Sequence, residues 1–219
     1  MIEGAIFDVD GTLLDSMLIW LEVRYRFLES IGLKAKPDTR DKSKDMSLYQ
    51  AACYFKSEYG LSMPVKEIMD RINSLIEDFY RNDAQPKDGV IEMLDYLADN
   101  NVKMCIASAT DTYLLEAALT RCGMRHYFSE IFSCTDVRHG KDEPDIYRIA
   151  LAHLGTEKSR TVIFEDAYYA IETAKRDGFK VVSIYDEFEP KHKEVLEKSD
   201  FHIDNLLELD GFKSFAESL

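Results

Sequence analysis

Residues 4–16 read Gly4-Ala5-Ile6-Phe7-Asp8-Val9-Asp10-Gly11-Thr12-Leu13-Leu14-Asp15-Ser16. An apolar run, Gly4 to Phe7, delivers two carboxylates, one residue apart, into a glycine turn. Short continuous apolar runs mark strands buried on both faces, and in open α/β sheets the reacting groups sit just beyond the carboxyl ends of such strands. Asp8 and Asp10 occupy that position. An aspartate carboxylate there can attack phosphorus to give an acyl phosphate, dividing one difficult hydrolysis into two easier displacements, and a second acid beside it can protonate the leaving oxygen. Gly11 lets the backbone turn sharply, and Thr12 offers a hydroxyl near an arriving phosphate. Alone, the pentad is equally compatible with a surface turn.

With 219 residues, 46% of them apolar, the chain can bury a large core, as one large domain or a domain with an insert. Forty-one acidic residues against 27 basic ones give a formal net charge of −14. That charge repels nucleic acid and anionic lipid surfaces, so neither is an expected partner. It also opposes an anionic substrate, so a site for one needs local cations: a metal and at least one lysine are expected. Cys53, Cys105, Cys122 and Cys134 are scattered, without CxxC spacing or a preceding secretory signal. Reduced thiols, a cytoplasmic location and a monomer are the expectation. No apolar run approaches the ~18 residues of a membrane span.

Along the chain, Ala5-Ile6-Phe7, Val102 to Ala107, Thr161 to Phe164 and Val181 to Tyr185 read as buried strands separated by helix-length segments, the signature of a parallel sheet. Glu130 to Ser133 adds a further strand, and Phe201 to Ile203 a short edge. Helices around 88–100, 112–122, 144–154 and 167–177 supply the crossovers, with Asp111 or Thr112 capping the second and Gly123 and Gly178 falling where helices stop. Between the first strand and Val102 lies helical periodicity only, over a stretch far too long for an ordinary connection. Val65, Ile68, Met69, Ile72, Leu75, Ile76 and Phe79 keep one apolar face behind Pro64. Companion helices run from Leu18 to Ile31 and from Leu48 to Tyr59. The reading is an α/β core with a Rossmann-like parallel sheet, residues 1–15 and 85–219, and an inserted helical-bundle cap, residues 16–84.

Three further clusters fall at strand ends. Ser108 follows the second strand, where its hydroxyl and nearby N–H groups can hold a phosphate oxygen; a plain turn or helix cap is the competing reading. Lys141, in Gly140-Lys141-Asp142-Glu143-Pro144-Asp145, precedes a helix and can neutralise both a nucleophile and a phosphate. Glu165-Asp166 ends the apolar run Val162-Ile163-Phe164. Two carboxylates there are costly without a cation, by several kcal/mol each on an order-of-magnitude scale. Mg²⁺ resolves that cost, with Asp8, the Asp10 main-chain carbonyl and Asp166 as ligands and Glu165 as either a direct ligand or a neighbour of the ligands.

These four segments, Asp8-Val9-Asp10-Gly11-Thr12, Ser108, Lys141 and Glu165-Asp166, resemble the four motifs of the haloacid dehalogenase superfamily. Leu13-Leu14-Asp15-Ser16, the helical insert and Gly140-Lys141-x-x-Pro144-Asp145 are similar to its β-phosphoglucomutase-like phosphatases. The resemblance implies Asp8 as nucleophile, Asp10 as general acid then base, Ser108, Ala109 and Lys141 as substrate-binding groups, and Mg²⁺ held by Asp8, Asp10 and Asp166. Asp10 itself favours phosphate esters, because an ester oxygen needs a proton on leaving. The expected activity is hydrolysis of a small phosphorylated metabolite, with sugar phosphates as one candidate class. A phosphomutase and a non-catalytic binder are the alternatives. The chain departs from the family pattern in carrying Ala167 after the acidic pair, Asp142 after Lys141, and Trp20 where β-phosphoglucomutase has a histidine. The mutase also has an arginine where Ser43-Lys44 align, so a hydrolase is favoured. Trp20 reads as packing at the seam between insert and core rather than as a stacking platform for a base. Lys42 and Lys44, beside Asp41 and Asp45, read as a solvated helix start rather than as substrate contacts.

Overall fold

The computed structural model describes residues 1–43 and 46–219, apart from the side chains of Arg40 and Asp41. Lys44 therefore lies outside the described residues. Strand β1 (Gly4–Phe7) lies near the middle of a six-stranded sheet and is flanked in parallel by β4 (Lys103–Ser108) and β6 (Thr161–Glu165). Outward follow β5 (Ile131–Ser133) on one side, and β7 (Lys180–Ile184) and β8 (Phe201–Ile203) on the other, all parallel. Every residue of β1 is buried, as expected of a strand covered on both faces. Alternate side chains feed two apolar layers. Ala5, Phe7, Val162 and Phe164 enter one, with α5 (Val90–Asp99), α6 (Thr112–Arg121) and α11 (Asp210–Ser218) packed on it. Ile6, Cys105, Ala107 and Ile163 enter the other, against α8 (Asp145–Leu154), α9 (Tyr168–Arg176) and α10 (His192–Lys198). Phe7 stacks on Phe164 at 4.3 Å between ring centroids, tying the two central strands.

Two-residue strands β2 (Leu14–Asp15) and β3 (Gln85–Pro86) pair antiparallel and bracket the helical stretch at residues 15 and 85. Between them run α1 (Met17–Ser30), α2 (Thr39–Ser43), α3 (Leu48–Glu58) and α4 (Val65–Asp78). Helices α1 and α3 both pack on α4. Helix α4 buries Ile68, Met69, Ile72 and Ile76 along the expected face. Its start differs slightly from the expectation: Pro64 takes the N-cap rather than the first turn, which still removes an N–H that would lack a partner. Its end differs more, because Phe79 to Asp83 form a single π-helical turn that swings Tyr80 into the interior, fully buried. Ser47 caps α3 through a reciprocal pair of hydrogen bonds with Gln50.

One local expectation is corrected and one element is added. Asp111 occupies the N-cap of α6 but makes no side-chain cap; its carboxylate accepts instead from Asn73 at 2.6 Å and Thr135 at 2.5 Å. Helix α7 (Cys134–Val137) was unforeseen, being too short to leave a periodic signal. All four cysteines are free, with Cys105 and Cys134 buried. Among the described residues no helix is long and apolar enough to cross a membrane.

At the far edge, Asp200 accepts from the Val181 N–H at 2.8 Å and from Lys175 at 2.6 Å, and Lys180 closes in at 3.2 Å. Burial pushes its carboxyl up, but these donors outweigh burial and hold it below the usual range. A carboxyl lowered by folding contributes stability above its unfolded pKa, and that contribution fades as pH falls through the folded value. Asp200→Asn is therefore expected to cost about 2 kcal/mol at neutral pH, or about 4–8 °C in thermal unfolding for a chain of this length. The gap to the parent should close as pH drops below about 4, the ordinary carboxylate range. A gap that does not change with pH contradicts the assignment.

Candidate active site

The chain leaves β1 at Asp8 and turns at Val9, whose carbonyl accepts from the N–H groups of Thr12, Leu13 and Leu14. Gly11 sits at φ +84, and a Cβ there would lie 2.4 Å from Asp166 Oδ2. Both the left-handed turn and the closeness of Asp166 demand glycine. The hydroxyl of Thr12, expected near a phosphate, instead donates to Asp166 Oδ1 at 3.0 Å, bracing that carboxylate.

Lys141 is 3% exposed, and its ammonium reaches Asp8 Oδ1 and, at 2.5 Å, Glu165 Oε1. Glu165 also accepts from the Tyr147 hydroxyl at 3.2 Å, and its Oε2 takes the N–H groups of Asp166 and Ala167 at 3.0 and 3.2 Å. Its oxygens are thus occupied by protein donors. Ligand oxygens of Asp8, Glu165 and Asp166 lie within 4.8 Å of one another, all three buried. In the described contacts of this cluster one ammonium, that of Lys141, stands against three carboxyl groups. The crowding bears on two of them: burial pushes the Asp8 carboxyl up to about 8, with Lys141 opposing and Glu165 and Asp10 adding to the rise. Burial, then Glu165 and Asp8, push Asp166 well above the usual range. Burial disfavours the Lys141 charge, but Asp8 and Glu165 outweigh it and hold the ammonium protonated. An all-oxygen, carboxyl-rich, desolvated cluster fits a hard divalent cation.

Asp10 faces the same cavity from the other side of the turn, as Ser108, Ala109 and Thr110 do from the end of β4. Its carboxylate is held by three hydroxyls: Tyr80 and Ser16 donate to Oδ1 and Thr110 to Oδ2, each at 2.5 Å. Burial beside that carboxylate keeps the Tyr80 hydroxyl protonated. Trp20 donates its indole N–H to the Tyr80 oxygen at 2.7 Å. Ser108, the last residue of β4 and 1% exposed, accepts from the Thr110 N–H at 3.1 Å. The turn reading of Ser108 therefore holds, and its side chain still lines the cavity.

The cavity, about 340 Å³, lies between sheet and insert, and Trp20, Leu21, Met46 and Leu48 form its far wall. Further contacts dock the insert over it. Asn73 on α4 donates to Asp111, and Gln50 on α3 donates to Asp142 at 3.1 and 3.2 Å. Asp142, the departure next to Lys141, thus has a structural partner. Trp20 sits half-buried at the seam, as expected. Lys42 is exposed, pairs with Asp38 at 2.8 Å, and does not line the cavity. Asp8, Asp10, Ser108, Ala109, Lys141 and Asp166 are all brought together around it. Tyr80 and Thr110 were missed by the sequence reading. The available signal was a tyrosine directly after the apolar stripe of α4, and a hydroxyl two residues beyond Ser108.

The sequence profile of the haloacid dehalogenase-like hydrolases matches residues 5–184. A phosphorylated carbohydrates phosphatase of Thermotoga maritima is 27% identical over 189 residues, 81% of this chain and 82% of the relative. A fructose-1-phosphate phosphatase of Escherichia coli is 26% identical over 193 residues, 83% of this chain and 95% of the relative. Among solved structures, CbbY from Rhodobacter sphaeroides in complex with xylulose-1,5-bisphosphate superposes with a TM-score of 0.84, at 20% identity and covering 96% of this chain and 97% of that one.

Proposed function

The chain belongs to the haloacid dehalogenase-like hydrolases, and on that premise we propose that it is a Mg²⁺-dependent phosphatase of small phosphorylated metabolites, working through a phospho-aspartate on Asp8. The observation that carries this reading is the buried Lys141 ammonium touching Asp8 and Glu165, across one cavity from Asp10. The relatives' names, a carbohydrate phosphatase and a fructose-1-phosphate phosphatase, favour sugar phosphates as the substrate class. Catalytic core (1–15 and 85–219) and cap (16–84) divide the work: the core holds the phosphoryl group and the cap encloses the leaving group. The molecule acts as a monomer in the cytoplasm, and the four free thiols suit a reducing compartment.

In the first displacement an Asp8 oxygen bonds to phosphorus as the ester P–O bond breaks, and Asp10 gives its proton to the departing oxygen. In the second, water attacks phosphorus, Asp10 takes the water's proton, and the bond from Asp8 to phosphorus breaks. Phosphate and the starting carboxylates result. Lys141 and Ser108 hold the phosphoryl oxygens, with the peptide N–H of Ala109 beside them. Asp8, the Asp10 carbonyl and Asp166 would hold the metal, while Glu165, already saturated by Lys141 and backbone N–H groups, orients Lys141. Mg²⁺ bound there supplies positive charge that offsets both the carboxylates and the transferring phosphoryl group.

A panel of sugar and polyol monophosphates should release inorganic phosphate with Mg²⁺, lose at least about 10²-fold in rate on chelation, and recover on adding Mg²⁺ back. Unchanged turnover in chelator contradicts the metal assignment. Isomerised sugar phosphate, formed with trace bisphosphate and without free phosphate, would establish the phosphomutase instead. A null result across the panel with Mg²⁺ present would favour a binding protein on the same scaffold.

A further inference from the structure

We propose that Tyr80, oriented by Trp20, is a positioning residue for Asp10, so that the insert sets the geometry of proton delivery to the leaving group. The proposal rests on the assignment of Asp10 as general acid and goes beyond it by naming the groups that aim it. Tyr80 stands on the π-helical turn at the end of α4, fully buried, with its ring edge-on to Phe79 at 5.6 Å between centroids. A tyrosine locked in that way has one freedom left, rotation of its O–H bond. The Trp20 N–H, arriving at 2.7 Å, takes a lone pair of the phenol oxygen and so fixes the hydroxyl proton toward Asp10 Oδ1. Trp20 lies on α1 and Tyr80 beyond α4, at opposite ends of the insert, whereas Asp10 belongs to the turn after β1. The chain Trp20–Tyr80–Asp10 therefore joins both ends of the insert to one carboxylate of the core. Thr110, on the core, and Ser16, the first residue of the insert at its junction with the core, also donate to Asp10, but neither joins the two ends of the insert as the Trp20–Tyr80 pair does.

A general acid matters in proportion to how much its leaving group needs a proton. An alkoxide leaving from an alkyl phosphate needs one; 4-nitrophenolate does not. The test compares kcat/KM, which reports the step in which the leaving group departs, for an alkyl phosphate accepted by the enzyme and for 4-nitrophenyl phosphate. Tyr80→Phe keeps the ring and removes the hydroxyl. It should lower kcat/KM for the alkyl ester about tenfold while changing the aryl ester by less than about twofold. Trp20→Phe, which keeps an aromatic ring at a half-buried position, should lower the same alkyl-to-aryl ratio about threefold. Equal losses on both esters for the two variants would reduce Tyr80 to packing, and a faster alkyl reaction would make the contact a restraint on Asp10; either result overturns the proposal. Asp10→Asn provides the reference. If it too leaves the alkyl-to-aryl ratio unchanged, the failure lies with Asp10 as the acid; if it collapses the ratio and Tyr80→Phe does not, the failure lies with Tyr80.

Discussion

Asp8→Asn is expected to abolish phosphate release, by more than about 10⁴-fold in kcat/KM, and to leave thermal stability in the absence of divalent cations unchanged or higher. The first half follows from chemistry, since an amide oxygen cannot form the acyl phosphate. The second follows from the electrostatics of the cluster. Asp8 is desolvated beside Glu165 and Asp166, and burial, with Glu165 and Asp10 adding to it and Lys141 opposing, pushes its carboxyl up to about 8. Asparagine keeps the shape and removes one of the three crowded carboxyl groups. Lys141 keeps Glu165 as its partner, so no buried ammonium is orphaned. Phosphate release and thermal unfolding, both measured on the same preparation, check the pair of outcomes. Turnover within about tenfold of the parent would remove Asp8 as the nucleophile.

Lys141→Met should act the other way, with a large loss of stability as well as of activity. Its ammonium is nearly inaccessible and directly contacts Asp8 and Glu165. Removing one partner of a buried pair leaves uncompensated charge, at a cost of about 3–5 kcal/mol. Methionine preserves most of the stem's volume, so the loss reports charge rather than a cavity. Added Mg²⁺ should recover part of that stability, because a divalent ion at the three carboxylates supplies the neutralisation that the lysine no longer does. Denaturant midpoints with and without Mg²⁺ measure both effects. A variant as stable as the parent, or one indifferent to Mg²⁺, contradicts the electrostatic picture of the cluster.

The sheet was legible because its strands are short apolar runs, the central ones ending in chemistry-bearing residues. Ala5-Ile6-Phe7 before Asp8, and Val162-Ile163-Phe164 before Glu165, show period and polarity together. The convergence of Asp8, Ser108 and Asp166 followed from the topology, since carboxyl ends of parallel strands share one edge, whereas Lys141 arrives from the turn beyond α7 rather than from a strand end. What escaped was governed by contacts distant in sequence. Thr12 reads as a phosphate donor until the fold brings Asp166, 154 positions away, within 3.0 Å. Asp111 reads as a helix cap, but Asn73 and Thr135 offer its carboxylate better donors from α4 and α7. Tyr80 was lost for a local reason: the 3.6-residue stripe of α4 stops at Phe79, and the π turn that follows carries no periodic signature.

All of this depends on a covalent bond between Asp8 and phosphorus. Enzyme quenched in acid during turnover of a phosphate ester with Mg²⁺, then digested and mapped by mass spectrometry, should carry a hydroxylamine-labile phosphoryl group on the peptide containing Asp8, enriched when Asp10→Asn slows its hydrolysis. A protein that releases phosphate at full rate with no such adduct at Asp8 under any quench time, or with the adduct on another side chain, contradicts it.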